Sequence, residues 1–195
     1  MDMEGLGQNE CMRIGIDISQ IAHEKTGVAQ YVRRLVSAIL ETDTKNEYVL
    51  FGASLRKRQV FSQFLADLGG KSKKLSLVSV PVPPTVLTIL WNRLHIVPIE
   101  SFIGSVDVFW SSDWTQPPLR DAKGITTIHD VSFLRFPESF VSQIRDEQNR
   151  RLRWAKAECS LFLCDSEATM EDVHNYLQLP KNILRVVYPG FTPTI

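Results

Sequence analysis

The strongest constraint on the fold is an alternation of short apolar runs with segments of helical periodicity. Residues 12–18 and 48–51 are mostly apolar and short, as expected of buried strands. Between them, apolar side chains recur at the spacing of an amphipathic helix. These helical positions are Val28, Tyr31, Val32, Leu35 and Ile39. The first fifty residues therefore predict a strand, a helix and a second strand.

The same alternation continues along the chain. Helical spacing recurs from Phe61 to Leu68, and Gly69 and Gly70 stop that helix. Two further helices are predicted, a long polar one over residues 142–158 and one after Ser166. Further strands are predicted at residues 75–80, 106–110, 125–128, 160–164 and 184–188. Because the strands alternate with helices and show little polar alternation, we predict a mostly parallel sheet covered on both faces. This is an α/β, Rossmann-like, doubly wound fold.

Charge and cysteine content limit the classes of partner and site. The 22 basic residues balance the 22 acidic ones, which removes the global electrostatic case for a nucleic-acid partner. Cys11, Cys159 and Cys164 have no CxxC spacing, so we expect free thiols in a reducing compartment rather than a disulfide framework or a zinc site.

Two segments bear on localisation. Residues 1–11 are polar and acidic and lack the apolar core of a signal peptide, so we expect a disordered or loosely ordered extension. The most apolar stretch, residues 84–104, is interrupted by Arg93, His95 and Glu100, which argues against a transmembrane span. A cytoplasmic location is the expectation.

Ligands of a doubly wound sheet bind beyond the carboxyl ends of its strands. After the first strand, Thr26 can cap the following helix, and Gly27 lets a ligand approach the amides at its positive end. That arrangement suits a phosphate or diphosphate, although neither GxGxxG nor GxxxxGK[ST] is present. An ordinary capped helix is the alternative interpretation.

A second candidate site follows the strand over residues 125–128. His129 can act there as a hydrogen-bond donor, a proton shuttle or a ligand to a substrate hydroxyl. Asp130 can orient His129 or bind a sugar hydroxyl, and the alternative is a structural pair in which Asp130 begins a turn. Ser166, at the end of another strand, is better suited to capping a helix than to catalysis, since no GxSxG elbow surrounds it.

The long polar helix carries one basic cluster. A solvated helix face is the simple interpretation, and contact with an anionic membrane surface or a lipid-phosphate acceptor is the alternative. The residues concerned are Arg145, Arg150, Arg151, Arg153 and Lys156.

Taken in order, these motifs resemble the N-terminal domain of the family 4 (group 1) retaining glycosyltransferases, in their mannosyltransferase-like branch, which have the GT-B fold. The most specific segment is TIHDVSFLRFPE at residues 127–138, close to that branch's T-x-HDL-x-x-L-x-x-PE block. The chain departs from the family at Ala29 and Gln30, where a second glycine and an arginine are common, and at Pro189, which replaces an asparagine. The other similar segments are MRIGID (12–17), TGVAQYV (26–32), CDSE (164–167) and VVYPG (186–190).

The resemblance implies transfer of a hexosyl group, of mannosyl type, from a nucleotide diphosphate sugar to a glycan or lipid-linked acceptor in polysaccharide biosynthesis. Transfer would retain the anomeric configuration and need no metal. By the same resemblance, Thr26 and Gly27 approach the donor diphosphate, His129 and Asp130 lie near the transferred sugar, and Ser166 lines the cleft.

The resemblance also implies a domain plan. Residues 12–188 would form the acceptor-side lobe and residues 189–195 the start of an interdomain linker. The C-terminal donor-binding domain, with its basic pair and Glu-x7-Glu motif, would be missing, so we expect no turnover by the isolated chain. The alternatives are a subunit of a split glycosyltransferase and a non-catalytic Rossmann-like binding or interaction module. A nicotinamide-dependent oxidoreductase is disfavoured by the lack of GxGxxG.

Overall fold

The computed structural model describes residues 11–69 and 74–190. The expectations for the N-terminal extension, for Gly70 and for the end of the linker fall on residues 1–10, 70 and 191–195, outside the described residues. The strands are β1 (Arg13–Asp17), β2 (Glu47–Ala53), β3 (Leu75–Val80), β4 (Val108–Ser111), β5 (Lys123–Ile128), β6 (Cys159–Cys164) and β7 (Leu184–Val186). The helices are α1 (Gly27–Thr42), α2 (Arg58–Asp67), α3 (Pro84–Leu87), α4 (Glu100–Ile103), α5 (Ser132–Arg135), α6 (Ser142–Glu158) and α7 (Glu167–Leu177).

Within the described residues the strands form one seven-stranded sheet in the order β3-β2-β1-β4-β5-β6-β7. Every neighbouring pair is parallel. The chain moves outward from β1 to β3, then returns to place β4 on the other side of β1. The prediction of a doubly wound α/β sheet is therefore confirmed, and the strand order reverses between β1 and β4, where such sheets bind ligands.

The core lies on both faces of the sheet. Leu50 of β2 packs in a cluster with Val36 of α1 and Phe61 of α2. The next residue, Phe51, lies in a different cluster, with Trp91. Because successive side chains of a strand point to opposite faces, this division shows that β2 is buried from both sides, which explains its nearly continuous apolar sequence.

The segment between β3 and β4 folds in a way that the sequence did not predict. Pro84 begins α3, which runs directly into a π-helical turn, Thr88–Arg93. Trp91 in this turn is fully buried, and its Nε1 donates to the Val97 carbonyl at 3.0 Å. No helix in the described ranges combines the length and the apolar character that crossing a membrane requires.

A group of hydrogen bonds converges on Asp43, directly after α1. Its carboxylate accepts from the Lys45 amide at 2.8 Å, from the Asn46 side-chain amide at 2.6 Å and from the Tyr48 hydroxyl at 2.6 Å. Burial by itself raises the pKa of Asp43, but these hydrogen bonds outweigh that effect and lower the pKa to about 2. The ionised carboxylate of Asp43 therefore stabilises the turn between α1 and β2.

This arrangement predicts an acid-sensitive contribution to stability. Because the folded-state pKa lies below the ordinary value of 3.8, the contribution is present above pH 3.8 and is lost as the pH falls toward 2. Asp43→Asn is expected to lower the free energy of unfolding at pH 7 by about 1 kcal/mol, with the difference shrinking below pH 4. Urea unfolding across this pH range tests it, with the exposed Asp146→Asn as control. A difference independent of pH would contradict it.

Candidate functional site

Polar residues gather where four neighbouring strands end. Asp17 is the last residue of β1, and Ser112 and Asp113 follow β4. His129 and Asp130 follow β5, and Asp165 and Ser166 follow β6. Since the strands are parallel and adjacent, all of these residues lie at one edge of the sheet, called here the carboxyl edge.

His129 is held in a defined orientation. Its Nδ1 lies 2.7 Å from Asp165 Oδ2. A carboxylate accepts, so Nδ1 carries the proton and the neutral ring keeps a lone pair on Nε2 for a ligand. Thr169 donates its hydroxyl to the His129 carbonyl at 3.3 Å, and the Tyr31 ring meets the imidazole edge to face at 4.9 Å. Asp165 and Tyr31 thus orient the ring, and Thr169 of α7 holds the backbone that carries it.

The partner of His129 is Asp165 and not Asp130. Asp130 is exposed, and its Oδ1 accepts from the Ser132 amide at 2.8 Å. That contact is the one expected of an aspartate that begins a turn. Asp130 therefore does not orient His129 through Nδ1, although it lines the same cavity.

Ser166 and Thr26 both cap helices. Ser166 Oγ accepts from the Thr169 amide at 3.1 Å, at the start of α7. Thr26 Oγ1 accepts from the Ala29 amide at 3.2 Å, at the start of α1. Thr26 and Gly27 are exposed, and a Cβ placed on Gly27 would meet no atom within 4 Å. The start of α1 is thus open to a ligand without being enclosed.

A cavity of about 140 Å³ lies beside His129. Asp113, Asp130, Gln148 and Arg151 contribute polar groups to its lining. Apolar side chains complete the wall: Ile128, Phe133, Phe140 and Ile144. Of the described residues around this cavity, Arg151 carries the positive charge that faces the carboxylates of Asp113 and Asp130.

Arg151 does not belong to a solvated basic face. Its side chain is buried, and its Nη2 donates to the carbonyls of Ser112 at 3.0 Å and Thr127 at 3.1 Å, and to the Thr126 hydroxyl. Burial lowers the pKa of Arg151, an effect opposed by the charge of Asp113. The sequence did contain a signal for the burial of Arg151. Counted from Ile144, Arg151 lies at i+7 and Ala155 at i+11, so all three fall on the same apolar stripe of the helix.

The remaining basic residues of α6 also differ in their surroundings. Arg150 contacts Glu147 at 3.3 Å, and Arg145 donates to the Pro137 carbonyl at 2.9 Å. Arg153 lies over the Trp154 ring at 4.5 Å, and Lys156 donates to the Leu177 carbonyl at 2.8 Å. Burial excludes Arg151 from any membrane contact, and contact through the other four stays a prediction.

Unpartnered polar atoms are concentrated at the carboxyl edge. Buried polar groups normally find hydrogen-bond partners, so each exception calls for a reason. Six buried side-chain polar atoms lack a partner within the described residues, and the one away from this edge is Glu100 Oε2. The other five are Asp17 Oδ2, the Tyr31 hydroxyl, Asp113 Oδ1, Arg151 Nε and Asp165 Oδ1. Polar groups that the protein itself leaves unpaired are therefore concentrated in the interior beneath the carboxyl edge.

Four residues of this edge were not predicted as site residues from the sequence: Asp17, Tyr31, Asp113 and Arg151. The position of Asp17 at the end of one buried strand, and of Asp113 just after another, is the signal that was available for them. Asp17 is almost fully buried, and its Oδ1 accepts from the Ser19 amide at 2.8 Å. Burial raises the pKa of Asp17, and the nearby charge of Asp113 adds to that effect.

A second cavity, of about 350 Å³, lies on the other side of the loop that follows β4. Its lining combines Ser19, Gln20 and His23 from the end of β1 with Leu87 and Trp114. The two cavities therefore flank Ser112–Asp113, next to the point where the strand order reverses. Both cavities lie at the edge of the sheet where the topology predicts a ligand.

Neither a cluster of metal-ligating side chains nor a matching family or curated protein indicates what these cavities bind. In the ranges that the structure describes, no three His, Cys, Asp or Glu side chains are grouped so as to hold a metal ion. The sequence matches no protein-family model, and no curated protein matches it.

Proposed function

We propose that this chain is the acceptor-binding lobe of a retaining glycosyltransferase. Such an enzyme moves a hexosyl group, of mannosyl type, from a nucleotide diphosphate sugar to a hydroxyl of a glycan or lipid-linked acceptor. The observation that carries the proposal is the His129–Asp165 pair, which lines a cavity at the carboxyl edge of a doubly wound sheet. The order of motifs around His129 supports the same function.

In this proposal His129 binds the transferred sugar. The Nδ1–H of His129 donates a hydrogen bond to Asp165. In the neutral imidazole, Nε2 accepts a hydrogen bond from a sugar hydroxyl, and in the protonated ring Nε2 donates one to a sugar oxygen. In the same proposal, the open amino end of α1, at Thr26 and Gly27, contacts the donor phosphate. Asp165 acts as the positioning residue.

The charge around His129 explains why a second lobe would be needed. Departure of a nucleoside diphosphate requires stabilisation of negative charge. The cavity offers Arg151, but also Asp113 and Asp130. Arg151 is already held by carbonyl groups. Basic side chains of a donor-binding lobe, which the resemblance to this family implies, would have to bind the diphosphate and neutralise its charge.

A transfer assay tests the proposal. The purified 195-residue chain is expected to give no transfer from UDP-glucose or GDP-mannose to methyl glycosides. The chain joined to, or mixed with, a donor-binding lobe is expected to transfer with retention, as read by NMR of the anomeric proton. Turnover by the chain alone, or an inverted product, would contradict the proposal. Tight binding of a protein partner with no effect of sugars would favour the interaction module instead.

A further inference from the structure

A group of exposed aliphatic side chains lies in the segment between β3 and β4. Eleven large hydrophobic side chains are exposed in the described residues, and five of them fall within residues 86–97. Each of the five is between 36% and 57% exposed. Single exposed apolar side chains are ordinary on a protein surface, but a group of them marks contact with a partner or a membrane. The members of this aliphatic patch are Val86, Ile89, Leu94, Ile96 and Val97.

The turn over residues 94–97, which carries three members of the patch, is strained and firmly held. The backbone φ is 51° at His95 and 63° at Val97, in the left-handed region that β-branched residues rarely adopt. The His95 ring stacks on Trp154 with the ring centroids 3.7 Å apart, and its Nε2 lies 2.9 Å from Glu158 Oε1. A strained backbone persists only where its surroundings fix it. These contacts therefore keep the aliphatic side chains of the turn at the surface.

The backbone beneath the patch already pairs its polar groups within the segment. The Leu94 amide donates to the Ile89 carbonyl, and the Ile96 amide donates to the Leu90 carbonyl, each at 2.9 Å. The Val97 carbonyl accepts the indole N–H of the π-helical turn. A protein partner ordinarily adds about one hydrogen bond per 100–200 Å² of interface, whereas the hydrocarbon of a bilayer offers none and excludes unpaired backbone groups. An apolar surface with a paired backbone therefore suits a bilayer better than a protein partner.

Three arginines lie beside the aliphatic patch. Arg93 belongs to the π-helical turn, and its side chain is 55% exposed. It shares the Glu147 carboxylate with Arg150 of α6, each at 3.3 Å, and Glu147 is shielded from solvent by this arrangement. Arg153 lies over the ring of Trp154, the side chain that stacks on the strained turn. Arginines next to exposed aliphatic side chains are the combination that an anionic bilayer surface attracts.

We propose that the aliphatic patch inserts into the interface of a bilayer that contains anionic lipids, with Arg93, Arg150 and Arg153 against the lipid phosphates. Insertion removes apolar surface from water, and the arginines add an attraction that salt weakens. Arg145 and Lys156 take no part, because each donates to a backbone carbonyl elsewhere. At about 100° per residue, both lie on the side of α6 opposite the ring that stacks on the turn.

Binding to lipid vesicles tests the proposal. The 195-residue chain is expected to sediment with vesicles of mixed phosphatidylcholine and phosphatidylglycerol, and to be released as the salt concentration rises. Leu94→Asp combined with Ile96→Asp is expected to weaken binding by about tenfold or more, because both aliphatic side chains leave the contact. Arg153→Gln is expected to weaken it about fivefold, the effect of one basic residue near an anionic surface. These side chains are exposed, so the unfolding transition is expected to stay that of wild type.

Each substitution has a matched control on the same protein. Val141→Asp places a carboxylate on an aliphatic side chain that is 66% exposed, at the opposite end of α6 from Glu158 and about 25 Å away along the helix. Arg145→Gln removes a basic side chain of α6 that lies away from the patch. Both controls are expected to bind vesicles as wild type does.

The outcomes that would overturn the proposal are distinct. Wild-type chain that ignores the anionic vesicles, or equal losses in the patch variants and their controls, would refute insertion of the patch. Self-association of the chain that Leu94→Asp combined with Ile96→Asp abolishes, without vesicle binding, would assign the patch to a second copy instead. Because no sugar enters the measurement, its result is independent of the proposed transferase function.

Discussion

If the proposed transferase function is right, replacing His129 with alanine is expected to lower the rate of sugar transfer by about 10²–10⁴-fold, the range for removal of a group that exchanges a proton or hydrogen bond in the transition state. Asp165 and Tyr31 fix the orientation of the imidazole, and Thr169 holds the backbone that carries it. Its side chain is partly exposed, so truncation opens no large cavity. The free energy of unfolding is therefore expected to change by about 1 kcal/mol or less.

Two further variants show whether the loss is chemical. Asp165→Asn keeps the shape of the partner but removes its charge, so it is expected to reduce transfer by less than His129→Ala does. His174→Ala is the matched control, because His174 Nδ1 donates to the Leu179 carbonyl at 2.7 Å at the end of α7, outside the cavity lining. Losses of rate that follow losses of stability across these three variants would assign His129 a structural role.

The sheet was predictable because its signals are local. The run LSLVSV, which lies between Lys74 and Pro81, specifies β3, and the predicted bounds of 75–80 agree with Leu75–Val80. The same holds for α6, whose charged sequence has helical spacing from Ser142 to Glu158. The segment from residue 84 to 104 was not predictable in this way. It folds into four-residue helices and a π-helical turn, too short or too irregular to show a period of 3.6.

The candidate site was predictable in position but not in pairing. Parallel topology places every strand-end residue at one edge, which is why His129 and Ser166 were identified. Which carboxylate meets His129 depends on β6 lying beside β5, a contact across 36 residues of sequence. The adjacent Asp130 was the better candidate by sequence distance, yet the turn into α5 engages its carboxylate instead. Buried polar residues such as Asn92 and Gln116 have no sequence signal, because their partners come from distant elements.

Replacing Arg151 with alanine is expected to lower the free energy of unfolding by about 3–5 kcal/mol. The change removes three hydrogen bonds from Nη2 and leaves the carbonyls of Ser112 and Thr127 without this donor in a buried environment. It also leaves a cavity where the side chain joined α6 to β4 and β5. For a chain of this size, the corresponding fall in melting temperature is on the order of 10 °C. Urea and thermal unfolding, followed by circular dichroism, measure both quantities.

The neighbouring residue supplies the control, since Arg150 and Arg151 are identical in chemistry and adjacent in sequence. The side chain of Arg150 is 42% exposed and contacts Glu147 at 3.3 Å. After Arg150→Ala, Glu147 keeps its contacts with Asn92 at 3.1 Å and Arg93 at 3.3 Å, so a loss of about 1 kcal/mol or less is expected. Similar, small effects of both substitutions would mean that Arg151 is solvated, and that the arginines of α6 form one basic face after all. A large effect confined to Arg151 would instead establish this arginine as the buried link on which the wall of the His129 cavity depends.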